Sequence, residues 1–116
     1  NFKQAEQKAL AWLERVGLIR QAQQTPKVLS GGEQQRVAIA RALIAEPKII
    51  FADEPTGNLD GQTAAEIEQL LFDLNKELGT TLVLVTHDQN LAALCQRHVK
   101  LLDGQILEIV QSEAGR

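Results

Sequence analysis

Two short apolar runs with a helical pattern between them limit the folds that this chain can adopt. The runs are Ile49 to Ala52 and Thr81 to Thr86, and each is typical of a buried strand covered on both faces of a parallel sheet. Between them apolar residues recur at helical spacing, and Gly79 follows the last of them, where a helix-ending glycine is expected. Because strand, helix and strand in this order form a right-handed crossover in nearly all proteins, we expect a βαβ unit in an α/β fold.

Two helices are predicted before this unit. Apolar residues recur at helical spacing from Ala5 to Val16, and Gly17 stands where a left-handed C-terminal cap is expected. A second helix is expected to start at Ser30. Its predicted buried stripe consists of Val37, Ala40, Leu43 and Ile44.

A short helix and a hairpin are predicted after the unit. The helix is expected to run through Leu91, Leu94 and Cys95. Asp103-Gly104 lies between two apolar runs, and this dipeptide favours a tight turn between antiparallel strands. We therefore expect a C-terminal hairpin.

Size and charge restrict the possible partners. The chain has 116 residues, of which 44% are hydrophobic, and this suffices for one domain. Its formal net charge of -3 gives no electrostatic reason to expect nucleic acid as a partner. No apolar stretch approaches the roughly 18 to 20 residues that cross a bilayer, so we expect any membrane role to go through another protein.

The ends of the chain and its cysteine content indicate its context. The first residue is Asn1 rather than a methionine, which indicates a fragment of a longer protein. Residues 111–116 are polar and lack periodicity, as a frayed tail does. Cys95 is the only cysteine, so an internal disulfide is excluded and a reducing cytoplasm fits.

The run Ser30-Gly31-Gly32-Glu33 has two interpretations. It has the form of a capping box, in which the serine and the glutamate satisfy free backbone N–H groups at a helix start. The two glycines would also let a phosphate approach those N–H groups at the positive end of the helix dipole. The pattern by itself leaves both interpretations open.

Acidic residues and a histidine follow the two predicted strands. Asp53 and Glu54 come directly after the first strand and His87 after the second, so all three belong to the carboxyl edge where open α/β sheets bind ligands. One acid suits Mg²⁺, and the next suits a base for the water that attacks a γ-phosphate. Alternatively, the acids solvate a loop and the histidine is structural.

Three motifs in this order resemble those of the ABC ATPases. Leu29 to Arg41 resembles the signature motif, Ile49 to Asp60 resembles Walker B followed by the D-loop, and Val85 to Asp88 resembles the H-switch. The stretch Phe51 to Asp60 looks most like the branch that serves lipoprotein release, macrolide export and cell division, and within it the YbbA-type ATPases. The resemblance implies a partial P-loop NTPase fold. Residues 1–46 would belong to its helical subdomain, 47–110 to its catalytic core with the hairpin, and 111–116 to a tail.

The resemblance also implies roles for individual residues. The signature residues that would contact the γ-phosphate of ATP on the opposite subunit are Ser30, Gly31, Gly32 and Gln34. Asp60 would link the two sites across the dimer.

The residues at the sheet edge would act on nucleotide bound to their own subunit. Asp53 would support Mg²⁺, Glu54 would be the catalytic base and His87 would contact the γ-phosphate. ATP and Mg²⁺ are therefore the implied cofactors. The implied partners are a second ATPase subunit, identical or not, and an integral membrane permease that holds the subunit at the cytoplasmic face of the plasma membrane.

Parts of the family pattern are missing. Nothing in the chain fits G-x-x-x-x-G-K-[ST], and the nucleotide-stacking aromatic residue and the Q-loop are also absent, so we expect them upstream of Asn1. This polypeptide alone is expected to show no ATPase activity and weak nucleotide binding. The Walker A strand of the family lies beside the strand that leads to His87, and an edge left open there invites self-association.

Three functions fit the resemblance. The first is the energy-coupling ATPase of an ABC transporter that exports or handles lipids or lipoproteins. The second is a regulatory or mechanotransmitting ATPase like those of cell division. The third is a soluble ABC protein of DNA repair or translation, which the acidic balance and the lack of a long coiled coil disfavour.

Overall fold

The computed structural model describes residues 1–23, 25 and 28–111. Its helices and strands are α1 (Phe2–Arg15), a 3₁₀ turn (Ile19–Gln21), α2 (Gly31–Leu43), β1 (Ile49–Asp53), α3 (Gly61–Leu78), β2 (Thr81–Val85), α4 (Gln89–Ala93), β3 (Arg97–Leu102) and β4 (Gln105–Gln111). The predicted mixture of helices and strands is confirmed. The predicted tail lies, apart from its first residue, outside the described residues.

Glycines end α1 and α3 as predicted. Gly17 has φ 80, and behind it the Leu18 N–H donates to the Leu13 carbonyl oxygen at 2.7 Å. This bond, with one from the Gly17 N–H to the Glu14 oxygen at 3.0 Å, forms a Schellman motif. Gly79 has φ 67 and takes the same left-handed position after α3. Both positions favour glycine because a Cβ atom is strained at these φ values.

The strands β1 and β2 pair in parallel, as predicted. The register places Ile49 opposite Thr81 and Asp53 opposite Val85, so the two strands end level. The face that packs against the helices carries Ile50, Ala52, Leu82 and Leu84. Because the strands end together, the residues that follow them leave the sheet side by side.

The prediction that both faces of these strands are covered is wrong for the described residues. On the second face Phe51 is 74% exposed, Val85 54% and Ile49 52%. Apolar strands are covered only where another layer packs on them, and the core of the described residues lies on one side of the sheet. A bare apolar sheet face is the result.

The core lies between α1, α2, α3 and the covered sheet face. Its fully buried side chains are Val16, Leu18, Leu43 and Ile67. The stripe predicted for α2 is partly confirmed, since Ala40 and Leu43 are buried. Val37 and Ile44 are only half-buried, and Ile39 is buried in their place because α2 contacts both α1 and α3.

The C-terminal hairpin is confirmed, and α4 is shorter than predicted. Asp103 has φ 51 and Gly104 has φ 76, so both turn residues have the positive φ of a type I′ turn. The helix α4 ends at Ala93, and Leu94 and Cys95 lie beyond it. The Cys95 N–H donates to the carbonyl oxygen of Ala92. Hydrogen bonds between residues three apart form the tighter 3₁₀ turn that is common at the ends of α-helices. None of the helices among the described residues has both the length and the apolar composition that a bilayer span requires.

Candidate functional site

The parallel strands bring Glu54 and His87 together. Glu54 follows β1, and its N–H donates to the Val85 carbonyl oxygen at 2.7 Å, which extends the pairing by one residue. The His87 N–H donates to Glu54 Oε1 at 2.9 Å, and His87 Nδ1 lies 2.5 Å from the same oxygen. The other carboxylate oxygen, Oε2, lies 3.4 Å from Thr86 Oγ1. The carboxylate of Glu54 is therefore oriented by the residues that follow β2.

The surroundings of Glu54 favour its charged form. Partial burial raises its pKa, but the side-chain and backbone hydrogen bonds of His87, the charge of that ring and the Thr86 hydroxyl together hold the pKa below the ordinary 4.5. The side chain of His87 is 91% exposed and that of Glu54 34%. Glu54 is thus an ionised, half-buried acceptor beside an accessible histidine, and this is the state that a general base requires.

Asp53 directly precedes Glu54 along the chain. It is the last residue of β1, is exposed and shares the bare sheet face with Phe51. Within the described ranges, no three His, Cys, Asp or Glu side chains gather where they could hold a metal ion. Mg²⁺ is commonly held by one or two carboxylates with waters and phosphate oxygens, so Asp53 fits such an ion but would not hold it alone.

The signature run begins α2 with a capping box, as predicted. Ser30 Oγ accepts from the Glu33 N–H at 3.1 Å, and Glu33 Oε1 accepts from the Ser30 N–H at 2.9 Å. Gln21 Nε2 donates to Glu33 Oε2 at 3.0 Å. Gln34 Nε2 donates to the Leu29 carbonyl oxygen at 3.1 Å. The start of α2 is thus stabilised by hydrogen bonds within the capping box and by hydrogen bonds that Gln21 and Gln34 donate to it.

The two glycines of the run lie against the first turn of α3 and the loop that precedes it. A Cβ atom on Gly32 would lie 2.6 Å from Cγ2 of Thr63, which is much closer than carbon atoms pack. One on Gly31 would lie 3.2 Å from Cδ2 of Leu59. Position 32 therefore requires glycine because α3 packs too closely for a larger residue. The sequence did not indicate this reason. Contact of either glycine with a phosphate stays a prediction.

Asp60 caps α3 as Ser30 caps α2. Its Oδ1 accepts from the Thr63 N–H at 2.9 Å, and the backbone has the same extended conformation at both caps. The hydrogen bonds from the Thr63 backbone, from its side chain and from the Gln62 backbone outweigh partial burial and hold the pKa of Asp60 below 3.8. Asp60 is therefore ionised at neutral pH. Its link to a second subunit stays a prediction.

The candidate residues form two groups joined by the loop after β1. Asp53, Glu54 and His87 lie at the sheet edge, whereas Ser30, Gly31, Gly32 and Asp60 lie at the adjoining starts of α2 and α3. Two polar residues in these groups were missed. Thr86 is the polar residue directly after β2, a position that could have indicated its role, whereas no local pattern links Thr63 to Gly32.

Comparisons with known proteins identify the family of this chain. A family profile described as ABC transporter matches residues 1–57. The ABC transporter ATP-binding protein YbbA of Escherichia coli (strain K12) is 57% identical over 86% of this chain and 44% of its own length. The lipoprotein-releasing system ATP-binding protein LolD of Alcanivorax borkumensis is 55% identical over 79% of this chain and 40% of its own length.

A solved structure has the same backbone course. The dimeric post-hydrolysis state of the ATP-binding cassette MJ0796, bound to ADP and Pi, matches with a TM-score of 0.80 and 46% identity over 96% of this chain and 48% of that one. The chain thus spans less than half the length of each of these relatives. With more than half of its aligned residues identical to those of two ATP-binding proteins, and with the backbone of a solved cassette, this chain belongs to the ABC transporter ATP-binding family.

Proposed function

We propose that this chain is the part of an ABC ATPase subunit that senses and hydrolyses the γ-phosphate, and that the full-length subunit uses ATP to drive a membrane transporter. The observation that carries the proposal is the pairing of Glu54 with His87 at the level ends of two parallel strands. An ionised carboxylate at this edge of an α/β sheet lies where such folds bind ligands.

In this proposal Glu54 is the general base. It orients the attacking water and accepts its proton, while His87, whose exposed ring is free to turn, contacts the γ-phosphate. Asp53 is the residue that would hold Mg²⁺, mostly through water. When bound, Mg²⁺ supplies charge neutralisation of the phosphates. The charge state of Glu54 supports its role, because a protonated carboxyl group cannot accept the proton.

The signature run acts on the nucleotide of a second subunit. Ser30, Gly31, Gly32 and Gln34 lie at the start of α2, where backbone N–H groups and the helix dipole favour a phosphate. Asp60 lies beside them and links the two sites of the dimer. The dimeric state of the relative bound to ADP and Pi supports this arrangement.

The chain by itself is expected to be inactive. It contains no G-x-x-x-x-G-K-[ST] run, whose backbone N–H groups and lysine supply the main β- and γ-phosphate contacts. Tight Mg²⁺-dependent ATP binding by the isolated 116 residues, measured by calorimetry, would contradict this.

The partner of the full-length subunit is an integral membrane permease, and a homodimer or a second ATPase subunit completes the assembly. The subunit then lies on the cytoplasmic face of the plasma membrane. Similarity to a lipoprotein-releasing system protein supports export or handling of lipids or lipoproteins as the process that is driven.

The test is ATP hydrolysis by the full-length subunit and its Glu54→Gln variant. The amide retains hydrogen-bonding capacity but cannot accept the proton, so we expect kcat to fall by about 10² or more while ATP binding is kept. Glu6→Gln, which changes an exposed residue of α1, is the matched control and should leave kcat unchanged. Full hydrolysis by Glu54→Gln would overturn the role of this residue, and a wild-type subunit without ATPase activity would overturn the proposed function.

A further inference from the structure

The carboxylate of Glu33 has hydrogen-bond partners in two different parts of the chain. Its Oε1 accepts from the Ser30 N–H at 2.9 Å, which is one half of the capping box. Its Oε2 accepts from Nε2 of Gln21 at 3.0 Å. Gln21 is the last residue of the 3₁₀ turn between α1 and α2. One carboxylate therefore joins the signature serine to the turn that follows α1.

The chemistry of the two groups fixes the orientation of the Gln21 amide. A carboxylate accepts hydrogen bonds and donates none, so the amide must turn its NH2 group toward Glu33 and its oxygen away. That oxygen, Oε1, is buried and has no hydrogen-bond partner among the described residues. Within this part of the chain, the bond to Glu33 is therefore the polar contact that the orientation of the amide serves.

Arg36 ties α2 to the same part of the chain. Its Nη1 donates to the carbonyl oxygen of Val16 at 3.0 Å. Val16 is the C-cap of α1 and is fully buried, and the last carbonyl groups of a helix have no partner within the helix. Arg36 Nη2 also lies 3.6 Å from Glu66 Oε2 on α3. The guanidinium group thus fixes the body of α2 against its neighbours.

Two anchors restrict α2 more than one does. With Arg36 alone, the helix could still pivot about its contact with the end of α1. The bond from Gln21 lies nearer the start of the helix, at the cap itself, and opposes this pivoting. Groups that recognise a ligand act well only when they are held within about 0.5 Å of the productive geometry. The contact with Gln21 is therefore suited to hold the signature run in place.

We propose that Gln21 is a positioning residue, which acts through Glu33 to hold Ser30 and the N–H groups at the start of α2 where they meet the γ-phosphate on a second subunit. The proposal rests on the proposed function, since it takes that phosphate as the ligand of the signature run. Gln21 is not itself a phosphate ligand. It orients the carboxylate that caps the helix.

The first test exchanges the charge between the two side chains in the full-length subunit. ATP-driven dimerisation is measured in the Glu54→Gln background, in which hydrolysis does not reverse it. Gln21→Glu sets a second carboxylate against that of Glu33, so repulsion replaces the hydrogen bond and dimerisation should weaken by about tenfold. Adding Glu33→Gln should restore it to within about twofold, because the new amide keeps the cap with its oxygen and donates to the new carboxylate with its nitrogen.

Gln23→Glu is the matched control. Gln23 lies two positions further along the chain and is exposed, so a charge there stays in solvent and dimerisation should equal that of the parent. Parental dimerisation in Gln21→Glu would overturn the proposal. A double variant that dimerises no better than Gln21→Glu would overturn it too.

The second test follows hydrogen exchange of the Ser30 N–H without ATP. The bond from this N–H to Glu33 should open more often in Gln21→Glu, so exchange should accelerate by about threefold or more, and the double variant should return it to the parental rate. Unchanged exchange in Gln21→Glu would overturn the link through Glu33. A parent that does not dimerise with ATP would instead overturn the proposed function, while the exchange rates would still decide the link.

ATP binding by the monomer separates positioning from a general loss of structure. Because the signature run acts on the nucleotide of the opposite subunit, the Gln21→Glu monomer should bind ATP with the affinity of the parent. Gln21→Ala removes the bond without adding a charge and should weaken dimerisation less, by about threefold, again with unchanged ATP binding. If ATP binding by the monomer fell as much as dimerisation in both variants, the positioning role would be wrong.

Discussion

Glu54 and His87 meet twice at one carboxylate oxygen, through the backbone N–H at 2.9 Å and the ring Nδ1 at 2.5 Å. The backbone bond depends only on the course of the chain after β2, whereas the ring contact depends on the side chain. The carboxylate therefore keeps one partner when the ring turns away. This division allows a histidine to move without releasing the proposed base.

Removing the ring of His87 should raise the pKa of Glu54. In His87→Ala the side-chain hydrogen bond and the charge of the ring are lost, while partial burial, which acts in the raising direction, remains. Carboxylate NMR titration measures the shift, and the hydrolysis rate of the full-length subunit should fall by about 10². The control is His98→Gln, which changes the second histidine of the chain. His98 lies on β3, so this substitution should leave the pKa of Glu54 unchanged. A pKa of Glu54 that stays constant in His87→Ala would contradict the assigned cause.

Stability should decline on acidification below the ordinary carboxyl range. The pKa values of Glu54 and Asp60 are lowered in the folded chain from 4.5 and 3.8, so their hydrogen bonds stabilise the fold fully above those values. This contribution is lost as pH falls through the lowered values, because protonated carboxyl groups no longer accept these bonds. Melting temperatures measured between about pH 2 and 6 test the sign. Asp60→Asn keeps a capping side chain without a charge, and its melting temperature should depend less steeply on pH.

Substitutions of Ser30 separate helix capping from phosphate contact. Ser30→Ala removes the cap of α2 and should lower the free energy of unfolding by about 1 kcal/mol. Ser30→Asp retains a capping oxygen, so thermal stability should stay near that of the wild type, but the added charge repels a phosphate. ATP-driven dimerisation of the full-length subunit should therefore be lost in Ser30→Asp. If Ser30→Asp dimerised normally, the proposed contact with the γ-phosphate would be wrong.

The bare sheet face should cause the isolated chain to associate. Phe51 is 74% exposed and Val83 38% exposed on this face, and the outer edges of β1 and β2 are unpaired among the described residues. Light scattering should show a mass that grows with concentration. Phe51→Lys should reduce the association without loss of helical signal, since the side chain has few contacts to lose. A monomer at every concentration would contradict the prediction.

Much of the fold follows from interactions within a few residues. The sequence predicts three chain reversals, because glycine and Asp-Gly are favoured where the backbone takes a positive φ. The structure confirms all three, at Gly17, at Gly79 and at Asp103-Gly104. Ser30 and Glu33 were recognised as a capping box for the same reason, since both partners belong to one helical turn.

The proximity of Glu54 and His87 also followed from the sequence. Two apolar runs joined by a helix predicted parallel strands, and parallel strands place the residues after them at one edge. That they end level, and that Thr86 also approaches Glu54, depended on the pairing register that only the structure provides.

The sequence by itself determined the elements, their caps and the edge at which Glu54 and His87 lie. The tertiary structure alone decided which strand face is covered and why position 32 is glycine. The physical reason is the distance along the chain between the residues that interact. Caps and turns are set by neighbours along the chain, whereas the room at Gly32 depends on how closely α2 and α3 pack, and residues distant in sequence settle that distance.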